Sequence, residues 1–151
     1  MGTVLAKDEE QIRNDSFTAN LILFWLKANY TLTNKRVTGD SPNTLFGLIP
    51  LGSKEFSQPL KTVASVSTST QFQLKVFIVG LILIGTGIAF INSILGIVLL
   101  VLGVINILNS YTAVFLVTNN AGQSEGYRIS ILEQAKVKSF VDQVNTVIAD
   151  L

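Results

Sequence analysis

The feature that most constrains this chain is residues 76–108, which carry no charged side chain. As one helix they would extend about 50 Å, well beyond the roughly 30 Å hydrocarbon core of a bilayer. Near the middle of the run, Asn92 and Ser93 interrupt the apolar residues, and either side chain can cap a second helix. The run therefore predicts a transmembrane helical hairpin over residues 75–109.

Four glycines are spaced so that the two helices can approach closely. Reflection about the central turn places Gly80 opposite Gly103 and Gly87 opposite Gly96. Small residues at facing positions allow helix backbones to pack in contact. We expect these glycines to form the packing interface of the hairpin. The alternative is that they reflect only the general frequency of glycine in membrane helices.

Composition excludes most catalytic chemistry. The 151 residues include no Cys and no His, so thiolate nucleophiles, zinc-thiolate sites and the commonest general base are missing. The net charge of +1 gives no electrostatic footprint for nucleic acid. The acidic cluster of Asp8, Glu9, Glu10 and Asp15 is interpreted as part of a solvated arm. We expect no enzyme activity, catalytic residue, cofactor, metal or nucleic-acid partner.

Outside the hairpin, the pattern predicts strands on both sides of it. Residues 17–37 predict two strands broken near Lys27, with the apolar run 21–26 as a buried strand. Turn-forming residues at 38–43 predict a loop. Residues 64–74 alternate strictly and predict a strand that leads into the hairpin, and residues 112–118 predict a strand after it.

The C-terminal segment changes to a helical period. Ser130 and Glu133 have the spacing of a capping box. An apolar stripe then follows at helical spacing, formed by Val137, Phe140, Val141, Val144, Ile148 and Leu151. The stripe predicts a helix that packs on the sheet. A surface membrane helix is the alternative, although such helices are usually richer in Lys and Arg.

The two ends of a hairpin emerge on the same side, so residues 1–74 and 110–151 can fold as one discontinuous domain. Lys61 and Lys75 precede the first helix, whereas the connecting turn is uncharged. The positive-inside rule then predicts a cytosolic domain with both termini in the cytosol. This places the hairpin in the cytoplasmic membrane, inserted from the cytosolic side.

Residues 30–37, YTLTNKRV, resemble the Y-x-L-T-N-x-R strand of small bacterial pleckstrin-homology-like (PH-like) domain proteins. The similarity continues at residues 49–51, at residues 60–63 and in the C-terminal helix. It implies an α+β fold, a partly open PH-like β-barrel with a C-terminal capping helix, interrupted here by the transmembrane hairpin. Such domains bind and assemble, and fold alone does not supply their function.

By analogy with the better-known lipid-binding domains of this class, basic residues are candidate contacts to anionic lipid headgroups. A cation close to an anionic leaflet gains about 1 kcal/mol. The alternative is ordinary solvated charge. The candidate headgroup contacts are Lys35, Arg36, Lys54, Lys61 and Lys75.

These features together predict a non-catalytic, membrane-anchored scaffold that self-assembles and that binds anionic lipid or shapes the membrane. Its expected partners are membrane lipids and further copies of itself. Asn106 and Asn109, near the end of the second helix, are the candidate oligomer contacts because buried amides hydrogen-bond between helices. The alternative function is a small pore-forming or holin-like membrane protein.

Overall fold

The computed structural model describes residues 4–151, so the first three residues of the predicted domain lie outside it. The described residues form seven strands and three helices. The strands are β1 (Gln11–Thr18), β2 (Lys27–Thr33), β3 (Arg36–Leu45), β4 (Ile49–Pro59), β5 (Val63–Phe72), β6 (Tyr111–Asn119) and β7 (Ser124–Ser130). The helices are α1 (Leu74–Ala89), α2 (Ile94–Asn109) and α3 (Gln134–Ala149).

The strands form two antiparallel sheets. One has four strands in the order β1-β2-β3-β4, and the other has three in the order β5-β6-β7. Short 3-10 turns at Leu60–Thr62 and Ile131–Glu133 precede β5 and α3. The helical hairpin of α1 and α2 is inserted between β5 and β6, whose last ladder pair is Phe72 with Tyr111.

Aromatic side chains from both sheets and α3 form the centre of the core. The rings of Tyr30 and Phe115 lie 5.0 Å apart, and those of Phe17 and Phe140 lie 6.2 Å apart. All four residues are fully buried. A Cβ at Gly39 would lie 2.6 Å from the ring of Phe56, so this position in β3 needs glycine. The predicted apolar stripe packs on the sheets from Val137 to Ile148, and its alternative as a membrane-surface helix is not observed. Leu151, the last residue of the predicted stripe, follows the end of α3 and is 62% exposed.

Several local predictions for the first half of the chain are wrong. Residues 21–26 form a loop rather than a buried strand, because the Asn20 side chain accepts hydrogen bonds from the backbone N–H groups of Ile22 and Leu23. Residues 38–43 lie inside β3 and not in a turn. The supposed solvated arm contributes β1, which starts at Gln11.

The predicted transmembrane hairpin over residues 75–109 is also wrong. The helices α1 and α2 have 16 residues each, a length of about 24 Å. Within residues 4–151 we find no helix with the length and apolar character needed to cross a membrane. The physical reason is that Phe72 and Tyr111 are paired in the β5–β6 ladder, so neither residue can extend a helix. The predicted location, with the hairpin inserted in the bacterial cytoplasmic membrane, is not supported either.

The four glycines lie where the hairpin helices touch. A Cβ at Gly103 would lie 2.9 Å from the carbonyl oxygen of Gly80, and a Cβ at Gly87 would lie 2.8 Å from that of Gly96. All four glycines are buried. The backbones of α1 and α2 are therefore in contact at two levels along the hairpin.

We predict that Gly103→Ala destabilises the protein by about 1–3 kcal/mol, because the added methyl group overpacks the helix contact. Gly85→Ala is the matched control. A Cβ at Gly85 meets nothing within 4 Å, and alanine favours a helix by about 1 kcal/mol over glycine. The free energy of unfolding from urea titration measures both effects. Equal values for the two variants would contradict the close approach of the helices.

Candidate interaction surface

Three connections meet at one end of the sheets: the hairpin, the β1–β2 loop (residues 19–26) and the β3–β4 turn (residues 46–48). The Asn109 side chain accepts a hydrogen bond from Leu21 N at 2.9 Å and donates one to Asn20 Oδ1 at 2.9 Å. Asn20 Nδ2 in turn donates to the carbonyl oxygen of Gly47 at 2.8 Å. These two carboxamides link the foot of the hairpin to both neighbouring connections.

A third asparagine completes this link. Asn106 is fully buried, and its Nδ2 donates to the carbonyl oxygens of Phe46 at 3.2 Å and Val76 at 3.1 Å. Gly47 has a φ of +76°, and a Cβ there would lie 2.5 Å from Asn106 Oδ1. The β3–β4 turn is therefore pressed against α2. We call Asn20, Asn106 and Asn109 the asparagine clamp.

Exposed aromatic side chains surround the foot of the hairpin. Two pairs are in contact: the rings of Phe24 and Trp25 are 5.4 Å apart, and those of Phe72 and Tyr111 are 5.0 Å apart. Among residues 4–151, the one exposed aromatic residue outside this group is Phe90, at the tip of the hairpin. The group, which we call the aromatic collar, consists of Phe24, Trp25, Phe46, Phe72 and Tyr111, which are 42–64% exposed.

The hairpin beyond the collar is apolar and unpartnered on its outer faces. Ile94 is 84% exposed, and further aliphatic side chains of both helices are more than half exposed. They include Ile82, Ile88, Ile91, Leu95, Ile97, Val101 and Val104. Apolar patches of this extent on a protein surface usually mark an interaction site. Collar and hairpin together form one apolar surface at one end of the molecule.

Both polar and charged groups occur at the rim of this surface. Lys27 follows the β1–β2 loop, and Lys75 lies in the first turn of α1; both are exposed. Lys27 Nζ donates to Thr18 Oγ1 at 2.9 Å. Glu133 is at the same end, where its carboxylate accepts a hydrogen bond from Thr18 N. The loop residues 19–26 and the turn residues 46–48 carry no charge.

The five predicted lipid-headgroup contacts are not brought together. Lys75 lies at the collar, and Lys54 lies in β4 with its Nζ 3.9 Å from Glu125. Lys35, Arg36 and Lys61 lie at the opposite end of the sheets, where β2 ends, β3 begins and β4 ends. A single headgroup site made of all five residues is therefore not present in the described part of the chain.

Arg36 is instead engaged by a carboxylate that the sequence pattern had placed in a solvated arm. Arg36 Nε donates to Glu9 Oε1 at 2.9 Å, and Thr33 Oγ1 donates to the same oxygen at 2.7 Å. The backbone N–H of Ala6 donates to the other oxygen at 2.7 Å. These hydrogen bonds, that from Ala6 foremost, lower the pKa of Glu9 from 4.5 to about 2. Nothing in the sequence pattern distinguished Glu9 from its acidic neighbours.

The predicted oligomer contacts belong to the asparagine clamp. Asn106 and Asn109 are buried and hydrogen-bonded within the chain. Their role between subunits stays a prediction, and an interface between copies that used these two side chains would first have to release them. The sequence prediction missed Phe24 and Trp25 of the collar because the apolar run 21–26 predicted a core strand.

A usable signal for an exposed pair was that these two adjacent aromatic residues lie between Asn20 and Lys27.

The Glu9 site predicts a specific pH dependence. Because the folded-state pKa of Glu9 lies below its ordinary value, its ionised form stabilises the fold above about pH 4.5, and this stabilisation is lost as the pH falls toward 2. Glu9→Gln should therefore flatten the decline of the melting temperature between pH 5 and pH 2.5. The control Glu10→Gln changes an exposed neighbour. A decline equally steep in both variants would contradict this assignment.

Comparison with known proteins found no matching protein family, no matching curated protein and no matching solved structure. The resemblance of residues 30–37 to PH-like domains thus stays a prediction. Function has to be argued from the geometry of this surface.

Proposed function

We propose that this chain is a non-catalytic scaffold that docks on a lipid surface through the aromatic collar and the apolar hairpin. The proposal rests on where the exposed aromatic side chains lie. All exposed aromatic side chains of residues 4–151 lie either at the foot of the hairpin, whose residues 76–108 are uncharged, or at its tip. Tyrosine and tryptophan prefer the boundary between lipid and water, where one part of the ring is apolar and another is polar.

Burial of this apolar surface against lipid or another partner would be favourable in free energy. Burying one large aliphatic or aromatic side chain gains about 1.5–3 kcal/mol relative to leaving it in water. Many such side chains of the hairpin are at present half or more exposed. Because apolar residues face outward from both helices, a partner that buries them must contact the hairpin on several faces. A fluid lipid layer meets this requirement without a shaped partner.

The dimensions suggest a shallow mode of docking. Both feet of the hairpin lie at the same end of the sheets, beside Phe72 and Tyr111. Helices of 16 residues rise about 24 Å, which is less than a bilayer core of roughly 30 Å. In this proposal the hairpin and the collar contact the lipid from one surface, and the hairpin does not cross the layer. The exposed Lys27 and Lys75 at the rim favour an anionic surface.

Support for a scaffold comes from the rest of the chain. The two antiparallel sheets and the packed α3 leave a folded β-rich body beside the docking surface, and we propose that this body is PH-like. The sequence has no His or Cys to supply common nucleophile or acid–base chemistry. The role proposed for the body is to bind or assemble and not to transform a substrate.

Copies of the scaffold can self-associate through the outer face of α1. A Cβ at Gly85 would meet no atom within 4 Å, so a second helix can approach closely there. The neighbouring Thr86 hydroxyl already donates to the carbonyl oxygen of Ile82 at 2.8 Å, which lowers the cost of covering it. Since Asn106 is held in the clamp, the described hairpin residues offer no polar stripe along their outer face, which favours a scaffold over a pore.

The test is co-sedimentation with vesicles of phosphatidylcholine and phosphatidylglycerol. The double variant Phe24→Ser/Trp25→Ser should lower the vesicle partition coefficient by about tenfold or more, because each ring contributes about 1 kcal/mol or more. The matched control is Val4→Ser/Leu5→Ser, which changes two exposed apolar residues outside the collar. Circular dichroism should show that both variants are folded.

Two outcomes would contradict docking through this surface. One is equal partitioning of the collar variant and its control. The other is a wild-type protein that forms a defined oligomer in solution and does not sediment with vesicles, because further copies would then cover the hairpin. Release of an entrapped dye by the bound protein would overturn the scaffold in favour of the pore alternative.

A further inference from the structure

A cavity of about 540 Å³ opens between the two sheets, beside the foot of the hairpin. Strand β3 lines it from one sheet, and β6 and β7 line it from the other. The edge strands β4 and β7 do not pair with each other, so the two sheets stay separate there. Further from the hairpin the gap is closed, where the rings of Phe56 and Tyr127 stack at 4.2 Å. The volume is within the range of about 300–1,000 Å³ that is typical of small-molecule sites.

The lining of the cavity is polar and cationic. Carboxamides line it at Asn43, Gln71 and Gln73, and hydroxyl groups line it at Ser41, Thr112 and Ser124. The charged residues of the lining are Lys54 and Arg128; within the described residues no carboxylate lines the cavity. Carboxamides and hydroxyls bind the hydroxyl groups of a polar ligand, and the two cations select for an anion.

Arg128 differs from the other two arginines of the chain. Arg13 and Arg36 form ion pairs with Asp15 and Glu9. The Arg128 guanidinium has no carboxylate within ion-pair distance in residues 4–151, and its Nη1 donates to Gln73 Oε1 at 3.2 Å. Gln73 thus orients the guanidinium in the cavity, and most of the five N–H donors of the guanidinium stay available.

The ammonium group of Lys54 is also only weakly engaged within the chain. Its Nζ is 3.9 Å from Glu125, and both side chains are more than half exposed, so this ion pair contributes little. The Glu125 carboxylate is also occupied by the hydroxyl of Tyr127, which donates to it at 2.6 Å. A second cation of the cavity can therefore turn to an anionic ligand.

We propose that this cavity binds a phosphorylated polyol, with the Arg128 guanidinium on the phosphate and the carboxamides and hydroxyls on the polyol. The fork of donors on arginine matches two phosphate oxygens at once. Such a group occurs free in solution or as the headgroup of a lipid, and the cavity reaches Gln73 and Val76 at the hairpin foot. Binding of the free ligand is independent of the proposed lipid docking, whereas the headgroup source rests on it.

The first experiment titrates glycerol 3-phosphate into the full chain and follows binding by calorimetry, with glycerol as the uncharged probe. We expect binding of glycerol 3-phosphate that Arg128→Gln weakens about tenfold, the loss typical of one hydrogen-bonded charge. The control Lys138→Gln removes a positive charge from an exposed position on α3 and should leave binding unchanged. Arg128→Lys should restore only part of the affinity, because it lacks the planar fork.

The second experiment separates the two sources of the ligand. If the headgroup is the ligand, Arg128→Gln loses part of the preference for phosphatidylglycerol over phosphatidylcholine vesicles, whereas Lys138→Gln keeps all of it. The part that remains comes from Lys27 and Lys75, and the variant still binds phosphatidylcholine through the hairpin. Retained binding to phosphatidylcholine shows that lipid docking is intact, so failure of the cavity proposal and failure of the docking proposal are distinguishable. The cavity proposal is overturned if Arg128→Gln and Lys138→Gln bind both glycerol 3-phosphate and phosphatidylglycerol equally.

Discussion

Buried carboxamide hydrogen bonds at the foot of the hairpin hold together the parts on which the proposed function depends. Asn20, Asn106 and Asn109 connect α2 to the β1–β2 loop and the β3–β4 turn. A carboxamide donates and accepts at once, so it can satisfy loop backbone groups that have no strand partner. Without this clamp, the connections that carry Phe24, Trp25 and Phe46 would have no fixed position relative to the hairpin.

The direction of the hairpin is set by a second constraint, the β5–β6 ladder. The pairing of Phe72 with Tyr111 brings the two helix feet together. The contacts of Gly80 with Gly103 and of Gly87 with Gly96 then hold the helices side by side along their length. The collar follows from this geometry, since Phe72 and Tyr111 are at once the last residues of the ladder and part of the aromatic ring around the foot.

The sequence predicted an element correctly where its hydrophobic period matches the surroundings that the element has in the fold. The apolar stripe on α3 is buried because it meets the aromatic core, and the alternation from residue 64 forms β5 as expected. The failures at residues 21–26 and at Glu9 share another cause. Both segments combine local hydrogen bonds, which involve Asn20 and Ala6, with hydrogen bonds to residues that are distant in the sequence, namely Asn109 and Arg36. No local pattern reports such partners.

The hairpin shows the limit of composition as a guide. Its uncharged run correctly marked the apolar part of the chain, but where each helix begins and ends was decided by the strands on either side. The position of the collar at the foot of the hairpin could not be predicted for the same reason. Phe46 and Trp25 become neighbours of the hairpin only through the clamp, and an exposed aromatic residue looks like a core residue in the sequence.

Trp25, the sole tryptophan of the chain, lies in the collar and is 60% exposed, which makes it a direct reporter. The most direct test measures its fluorescence on addition of vesicles whose lipids carry bromine either close to the headgroup or at the end of the acyl chain. Docking through the collar predicts a shift of the emission to shorter wavelength and stronger quenching by bromine near the headgroup. An emission spectrum that is unchanged by lipid would contradict the proposed docking surface.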